Sequence, residues 1–495
     1  MTKKSWTERH FEFFRKGIIG QDQVLEINGK QERMIYADWT ASGRLYWPIE
    51  ETMVHKVAPW VANTHTETSL TGATMTKAYQ EARQIIKSHV NASNDDVLIS
   101  CGTGMTGAMN KLLRILGLRV PEQLKPHLNI PEENRPVVFL SHMEHHSNHT
   151  PWLETLAKVQ LIPHTNEGLI DLKVLEKLLM KFPRREKIVS ITACSNVTGI
   201  ALPYHKIAGL AHQNNALCFV DFACNAPYVN IDMHPNDTEY LDAITFSPHK
   251  FLGGPGSSGV LIFNKSLYKL NVPDNPGGGT VVFTDPWGNH RYKKNIEERE
   301  DGGTPGFLQT IRTALAIRLK EKMGVEAIMA REEEINTLVF QRLERIEGIH
   351  LLAAQHKKRL SIFSFYLDGL NYDLVVKLLN DKFGIQTRGG CSCAGTYGHY
   401  LMNINEIQSQ QIMKDSENGC VINKPGWVRI SFHPTMTDTE IEFVCDAVQQ
   451  VAENAKDWKK EYRFTPHGYV HKNPEKEIKI AVKDWFNESI MEAVS

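Results

Sequence analysis

Residues 188–221, IVSITACSNVTGIALPYHKIAGLAHQNNALCFVD, contain the pattern that decides the fold. Two nearly continuous apolar runs, Ile188–Ala193 and Leu217–Val220, flank a helical pattern over His205–Gln213. Strands that are buried on both faces of a sheet have this unbroken apolar character. A strand, a helix and a second strand in this order predict a βαβ unit of a parallel sheet.

The same alternation continues on both sides of this unit. Helical patterns cover Gly107–Leu116 and Leu172–Lys181. Further strands are predicted at Val97–Ser100, Val137–Leu140, Val159–Pro163, Ala243–Phe246 and Gly259–Phe263. The fold class is therefore α/β, with a mainly parallel central sheet covered by helices on both faces. Ligands of such sheets bind at the carboxyl ends of the strands, so the residues that follow each strand are the candidates for function.

The second half of the chain has a different composition. A segment rich in Gly, Pro and charges, 272–312, precedes one long helical pattern from Leu308 to Ile346. A smaller α+β domain is predicted after it, with strands at Ile349–Ala353, Leu360–Tyr366 and Trp427–Phe432 and helices at Asp373–Asp381 and Asp438–Asn454. The predicted division is an N-terminal extension (1–35), a large domain (36–307), a small domain (308–455) and a charged, amphipathic tail (456–495).

Composition excludes several classes of protein. The 495 residues carry 56 Lys and Arg against 57 Asp and Glu, a balance that argues against a nucleic-acid-binding protein. A hydrophobic fraction of 41% is typical of a globular chain rather than a disordered one. No apolar run is long enough to cross a membrane, and the polar N-terminus lacks a signal-peptide core. Eight mostly scattered cysteines indicate reduced thiols, so we expect a cytoplasmic protein.

A glycine-rich loop, Gly102–Gly107, follows the first predicted strand and precedes a helix. It fits the GxGxxG pattern literally, but a dinucleotide fingerprint usually opens the first βαβ unit and has an acid after the next strand. Here about 95 residues precede the motif, and the next strand ends at Leu140-Ser141. A tight turn remains an alternative, as does a phosphate site at the free N–H groups of the helix.

Four histidines, at 142, 145, 146 and 149, follow the next strand. A metal site is one interpretation, although His145 and His146 would lie on opposite sides of an extended segment and other zinc ligands are missing nearby. A surface histidine cluster is a second. In a third, a flat imidazole at a strand end stacks on a planar cofactor.

Two charged residues end predicted strands. Asp221 closes the strand Leu217–Val220, where a buried carboxylate requires a cationic partner unless it caps the next segment. Lys250 follows Ala243–Phe246 and precedes a Gly-rich turn. It is either an ordinary surface lysine or, if desolvated, a Schiff-base nucleophile.

Several motifs together resemble class V aminotransferases, which are fold-type I pyridoxal phosphate enzymes. The closest subgroup is that of cysteine desulfurases and selenocysteine lyases. The resemblance covers roughly Tyr36–Val451 with its motifs in the family's order. It rests on Glu144-His145-His146-Ser147-Asn148 with Pro151-Trp152, Phe246-Ser247-Pro248-His249-Lys250 with Gly253-Gly254-Pro255-Gly256, and Gly303-Thr304-Pro305.

The resemblance implies pyridoxal 5'-phosphate as the cofactor and a role for each matching residue. Lys250 matches the Schiff-base lysine, which also moves protons, Asp221 the acid that pairs with the pyridine nitrogen, and His145 the ring-stacking histidine. The other implied cofactor contacts are Thr103 and Gly104 of the phosphate loop, Ser247, His249, Asn196 near the cofactor hydroxyl and substrate, and Thr304, which reaches the phosphate of the other subunit. A homodimer is therefore implied.

The resemblance also implies substrate contacts and a nucleophile. Arg429 matches the arginine that grips the substrate carboxylate, a role suited to its bidentate fork. The loop from Arg388 aligns with the family's Arg-Thr-Gly-x-x-Cys loop, which places Cys393 at the catalytic cysteine and leaves Cys391 extra. We expect this loop to be flexible, with Arg388 near the thiol and the substrate. The two thiols could instead be packing residues, a redox pair or half of a zinc site with His399.

Two departures from the desulfurase pattern weaken the inference of an identical substrate. Cys224 stands where the pattern has glutamine, and Gly104 stands where it has a second threonine. The preferred function is a cysteine-desulfurase-like conversion of L-cysteine to L-alanine and an enzyme persulfide, with a possible sulfur-acceptor protein and no metal. The alternatives are an aminotransferase or another lyase of different substrate, a dinucleotide-binding oxidoreductase, and a silent scaffold.

Overall fold

The computed structural model describes residues 4–27, 29–64, 66–419, 424–478, 480 and 482–487. Its N-terminal part begins with a helix that Ser5 caps, because the Ser5 side chain accepts a hydrogen bond from the Glu8 N–H. The elements of this part are α1 (Trp6–Arg15), β1 (Val24–Ile27), β2 (Lys30–Arg33), β3 (Ile35–Tyr36), α2 (Trp47–Thr52) and α3 (Leu70–His89).

Strands and helices then alternate as the sequence predicts. Most of the observed bounds lie within two residues of the predicted ones. The elements are β4 (Asp96–Cys101), α4 (Met105–Ile115), β5 (Val137–Leu140), α5 (His146–Leu153), β6 (Lys158–Leu161), α6 (Leu172–Met180), β7 (Lys187–Thr192), α7 (Tyr204–Gln213), β8 (Leu217–Asp221), β9 (Ala243–Phe246) and β10 (Gly259–Asn264).

These strands form one seven-stranded sheet in the order β4-β10-β9-β8-β7-β5-β6. Strands β6, β5, β7, β8 and β9 run parallel, and β10 is antiparallel to both of its neighbours. Every residue of β5, β7 and β9 is buried, as expected for strands covered on both faces. The predicted α/β class with a mainly parallel sheet is confirmed. The carboxyl ends of β4, β5, β7, β8 and β9 therefore meet at one edge.

The long helical pattern predicted from Leu308 to Ile346 is not one helix, so that prediction was wrong in this respect. Gly324 separates two helices and has a φ of 79°, a backbone conformation that residues other than glycine rarely adopt. The elements of this region are β11 (Val281–Thr284), β12 (His290–Tyr292), α8 (Ile296–Glu300), α9 (Phe307–Met323) and α10 (Val325–Leu343).

A second sheet follows, antiparallel, in the order β13-β14-β17-β16. Strand β3 reaches this region from the N-terminal part, because Ile35 pairs with Ile385. The elements are β13 (Ile349–Leu351), β14 (Ile362–Leu367), α11 (Tyr372–Phe383), β15 (Ile385–Gln386), β16 (Arg388–Gly390), α12 (Gly395–Leu401), α13 (Glu406–Glu417), β17 (Trp427–Ser431) and α14 (Asp438–Trp458).

The tail adds a hairpin that packs on α11. Tyr462 donates a hydrogen bond to Asp381, 3.1 Å away, and Glu477 forms an ion pair with Lys377 at 2.8 Å. The tail elements are β18 (Tyr462–Thr465), β19 (Gly468–His471) and α15 (Asp484–Asn487). Short helical turns lie at Met53–Val57, Ala58–Trp60, Glu122–His127, Glu132–Asn134, Pro248–Lys250, Lys265–Leu267, Lys459–Glu461 and Pro474–Lys476. The domain boundaries stay predictions, and residues 479, 481 and 488–495 of the predicted tail lie outside the described residues.

Among the described helices, none combines the length and the apolar character that crossing a membrane requires.

Candidate active site

A cavity of about 270 Å³ lies at the carboxyl edge of the central sheet, where the second sheet faces it. Its size is near the lower end of the range for small-molecule sites. The lining residues come from the strand ends of the large sheet, from the N-terminal segment and from β16, β17 and the loop between β16 and α12. They are Thr40, Ala41, Met105, Thr106, His145, Ser147, Thr192, Cys194, Asn196, Asp221, Ala223, Cys224, Ser247, His249, Lys250, Arg388, Ser392, Cys393 and Arg429.

An acid and an amine face this cavity from adjacent strand ends. Asp221 ends β8 and is 3% exposed, and its Oδ1 accepts a hydrogen bond of 2.8 Å from the Ala223 N–H. Burial raises the pKa of Asp221 to about 6, against the opposing charge of Lys250. Lys250 lies in the turn after β9, and desolvation lowers the pKa of its amine. A lysine with a lowered pKa supplies a neutral amine, which is the nucleophilic form.

His145 caps α5 and is fixed in one tautomer. Its Nδ1 accepts a hydrogen bond of 3.1 Å from the Ser147 N–H, so a neutral ring carries its proton on Nε2. Burial, followed by the charge of Lys250, lowers the pKa of His145 to about 3. Glu144 beneath it fastens this turn to β7 by accepting from the Thr192 N–H at 3.0 Å. His145 therefore presents an uncharged ring to the cavity.

The start of α4 meets the turn after β9. The Ser247 Oγ accepts a hydrogen bond of 2.8 Å from the Met105 N–H, the first of the helix. A Cβ on Gly104 would lie 3.0 Å from this Oγ and 3.5 Å from the His249 ring. The glycine at position 104, a departure from the desulfurase pattern, is thus the residue that lets Ser247 and His249 approach the helix.

Two arginines are direct cross-strand neighbours at the far wall of the cavity. Arg388 of β16 pairs in register with Arg429 of β17. Arg429 is 2% exposed, and its Nη2 donates to Asp38 at 2.6 Å while its Nη1 donates to the Asn196 carbonyl at 3.2 Å. Its buried Nε has no partner within the described protein. Like charges that face each other are unfavourable, so these two arginines favour the binding of a second anion in addition to Asp38.

Contacts from distant segments hold the cysteine loop between β16 and α12, and its expected flexibility stays a prediction. Its backbone takes left-handed conformations at Ser392 (φ 51°) and Cys393 (φ 57°). The Asn196 amide donates to the Ser392 carbonyl at 2.8 Å, and the Trp427 indole donates to the Ser392 hydroxyl at 3.1 Å. Arg388 Nη2 lies 3.7 Å from the Cys393 Sγ. The thiol is partly exposed and points toward a cation, as a reactive cysteine requires.

Cys224 belongs to a pair of buried thiols on the cavity wall. Both thiols donate to the Ser195 carbonyl, Cys224 at 3.6 Å and Cys194 at 3.8 Å. The neighbouring Cys194 thiol lowers the pKa of Cys224, while burial raises the pKa of Cys194. Cys194 follows β7 and Cys224 follows β8, so both lie beside Asp221. A thiol pair therefore stands where the desulfurase pattern has a glutamine.

The structure brings nine of the predicted site residues to one cavity and leaves three outside its lining. Thr103 and Thr304 are both exposed, and Thr304 Oγ1 accepts a hydrogen bond of 3.4 Å from Asn63. Gly104 shapes the wall without lining it. The residues brought together are His145, Asn196, Asp221, Ser247, His249, Lys250, Arg388, Cys393 and Arg429.

The four histidines do not converge, and His146 starts α5 instead of lying in an extended segment. The neighbours are separate: His142 bonds the Gly168 carbonyl, His146 the Gly395 N–H and His149 the Thr396 hydroxyl. His399 contacts the Gly395 carbonyl and Ser409 rather than the two thiols. Within the described ranges, no group of three or more His, Cys, Asp and Glu side chains could hold a metal ion.

Sequence reasoning missed several residues of the cavity. Asp38 forms an ion pair with Arg429, and the nearby Thr40 and Ala41 line the wall of the cavity. Asp38 itself was a signal, because this acid lies only two residues after Tyr36, where the family resemblance begins. Thr192 ends β7 and Cys194 lies two residues after it, so attention to the carboxyl end of this predicted strand would have found both.

Comparisons with known proteins agree with this geometry. The family model "Aminotransferase class-V" matches residues 35–444. A probable cysteine desulfurase of Staphylococcus aureus strain Mu50 is 27% identical over 435 residues, which cover 86% of this chain and 94% of that protein. One of Halalkalibacterium halodurans is 28% identical over 373 residues, covering 74% and 86%. The apo structure of a cysteine desulfurase from Thermococcus onnurineus NA1 shares the fold, with a TM-score of 0.72, 23% identity, and coverage of 90% and 98%.

The chain therefore belongs to the class V aminotransferases, a family of pyridoxal phosphate-dependent enzymes of fold type I. The resemblance inferred from the motifs is confirmed, and the curated relatives named above are described as probable cysteine desulfurases.

Proposed function

We propose that this enzyme is a cysteine desulfurase that converts L-cysteine to L-alanine and keeps the sulfur as a persulfide on Cys393. One observation carries the proposal: Asp221 and Lys250 face the same cavity as the thiol of Cys393, which lies 3.7 Å from Arg388. The names of the curated relatives support the same activity.

The residues on the sheet side of the cavity fit pyridoxal phosphate. Burial raises the pKa of Asp221 despite the charge of Lys250, and a protonated pyridine nitrogen would supply a further counter-charge. Lys250 would bind the cofactor covalently, and the flat ring of His145 would lie against it. The phosphate contacts would be Ser247, His249, Thr103, Gly104 and the N–H groups that open α4, with Thr304 from a second subunit. When bound, this cofactor acts as an electron sink for the substrate.

The opposite wall fits the substrate. The buried Nε of Arg429 has no partner among the described residues, and Arg429 would bind the α-carboxylate with Asn196 and Arg388 beside it. The pKa of Lys250 is lowered, so its amine can accept and return the α-proton. In this proposal the reacting carbon would lie between the amine and the cysteine loop.

The sulfur transfer itself requires no further reactant. The Cys393 thiolate attacks the substrate sulfur, so a sulfur–sulfur bond forms and the carbon–sulfur bond of cysteine breaks. The carbon retains the electron pair of that bond and takes up the thiol proton of the substrate. The products are L-alanine and the Cys393 persulfide anion.

Three further features complete the proposal: a homodimer, a cytoplasmic location and a protein that accepts the persulfide sulfur. The test of the whole function is an amino-acid panel on the purified enzyme loaded with pyridoxal phosphate. L-Cysteine should yield alanine and, with a reductant, sulfide in equal amounts. Formation of an oxo acid and pyridoxamine phosphate from any amino acid would instead identify an aminotransferase.

Asp221 gives a prediction that depends on pH. In the empty protein its pKa is raised from 3.8 to about 6, so its favourable contribution is complete below pH 3.8 and is lost as the pH rises through about 6. The protonated ring nitrogen of bound pyridoxal phosphate would restore the lost stability, because it pairs with the ionised Asp221. We expect pyridoxal phosphate to raise the melting temperature roughly 2–4 °C more at pH 8 than at pH 5. Thermal unfolding of the empty and loaded protein measures this difference.

Asp221→Asn is the control for this prediction. An amide carries no charge, so the gain on loading should be equal at the two pH values, and turnover should fall about 100-fold. An unchanged pH difference in the variant would assign the effect to another group.

A further inference from the structure

His146 stands out among the histidines because both its backbone and its ring contact the cysteine loop. Its N–H donates to the Cys393 carbonyl at 2.7 Å. Its Nε2 accepts from the Gly395 N–H at 3.0 Å. One residue therefore grips the loop on both sides of Ala394.

These two hydrogen bonds provide acceptors for the first N–H group of two helices. His146 is the first residue of α5, and Gly395 is the first residue of α12, so each N–H lacks a partner within its own helix. The cysteine loop supplies the acceptor for α5, and the His146 ring supplies the acceptor for α12. The two helix ends thus hold each other, with Cys393 between them.

The space around Gly395 is matched to this contact. A Cβ at position 395 would lie 3.1 Å from the His146 Nε2, closer than an ordinary van der Waals contact. Gly395 has no left-handed φ, so its backbone does not itself require glycine. The close approach of the imidazole is what the missing side chain permits.

We infer that His146 is a positioning residue that docks the Cys393 loop in the cavity, and that it does so only as a neutral imidazole. The catalytic consequence of this docking rests on the proposed function, whereas the docking itself is a property of the fold. Because the Gly395 N–H is a donor, Nε2 must be unprotonated to accept it. A proton on Nε2 would face a second N–H and break the bond.

The surroundings set the pH range of this effect. The titratable groups that interact with the ring are His145 and His149 on its own segment and Lys424 before β17. Cys393, on the loop, meets the His146 backbone through its carbonyl. Burial, followed by the charge of Lys424, lowers the pKa of His146 below 6.5. The docking is therefore complete above pH 6.5 and is lost as the pH falls through the lowered value.

The test is hydrogen exchange by mass spectrometry on the loaded, full-length enzyme, read from peptides that span residues 388–402 at a series of pH values from 7.5 downward. Rates are corrected for the intrinsic pH dependence of exchange. His146→Ala should exchange about fivefold faster than wild type at pH 7.5, since it loses one hydrogen bond. His146→Gln retains an acceptor that does not titrate, so it should be close to wild type at pH 7.5 and unchanged as the pH falls. Wild type should lose protection as the pH falls through the lowered pKa of His146.

Two further variants keep the test independent of folding defects. Gly395→Ala keeps the histidine at position 146 and has a higher helix propensity in α12. Its Cβ should nevertheless displace the His146 ring and raise the exchange rate about twofold. Leu153→Ala is the control from the same helix, because the Leu153 side chain is 53% exposed, and the loop should stay protected in it. Equal exchange in wild type and His146→Ala, or an equal pH response in wild type and His146→Gln, would overturn the inference.

A kinetic readout separates this inference from the proposed function. With L-cysteine, His146→Ala should lower kcat about tenfold and leave KM unchanged, because the carboxylate site at Arg429 is untouched. If wild type makes no alanine from cysteine, the proposed function fails while the exchange data still decide the docking. A change in KM alone would contradict a role in placing the nucleophile.

Discussion

Cys393→Ser should abolish alanine formation from L-cysteine, with a loss of at least about 1000-fold in kcat. The attack is on sulfur, so a hydroxyl in the place of the thiol cannot form the persulfide. Arg388 Nη2 lies 3.7 Å from the Cys393 Sγ, whereas the variant offers that cation a neutral hydroxyl. Binding of cysteine should persist, since Arg429 and Lys250 are unchanged. Alanine release and the cofactor absorbance on adding cysteine measure the two effects separately.

Cys391→Ser is the matched control, because this thiol lies in the same loop but does not line the cavity. We expect its alanine production to stay within about twofold of wild type, and both variants to melt near the wild-type temperature. If Cys393→Ser retained wild-type alanine release, the persulfide mechanism would be wrong. An enzyme that transaminates with both thiols replaced would show that the cysteines have no part in the reaction.

The central sheet could be predicted from the sequence because its signals are local. Runs such as Val137–Leu140 and Ala243–Phe246 are apolar enough to be read directly, and the structure has both with the same bounds. The residues that follow these strands must meet at one edge, and for that reason Asp221, Lys250 and His145 could be grouped without coordinates. Their roles could be suggested only through the family resemblance.

The cysteine loop could not be predicted in the same way, because its geometry depends on contacts between distant segments. Asn196, Trp427 and His146 all hold residues 392–395, and no periodicity in the sequence brings them together. The ion pair of Asp38 with Arg429 joins residues 391 positions apart. The break at Gly324 was missed for a different reason, since a glycine inside a helical pattern is often tolerated.

Reduction of the loaded enzyme with borohydride should fix the cofactor to Lys250 and to no other lysine. The structure offers a rival, Lys320, which is 3% exposed and whose burial lowers the pKa to about 7. Its Nζ, however, donates to the carbonyls of Ala226 and Val229 and lies away from the cavity lining. A lowered pKa does not distinguish Lys250 from Lys320, but only Lys250 of these two lines the cavity. Peptide mass spectrometry of the pyridoxyl label decides between them.

Lys250→Ala should lose at least about 1000-fold in turnover and should carry no label after reduction, because no other described amine lines the cavity. The variant should still fold, since removing an amine whose burial lowers its pKa removes a desolvation cost as well as a side chain. A label on Lys320 in the wild type, or alanine production by Lys250→Ala at the wild-type rate, would show that the amine after β9 does not hold the cofactor. In that case the lowered pKa of Lys250 would reflect only its burial between Asp221 and the two arginines.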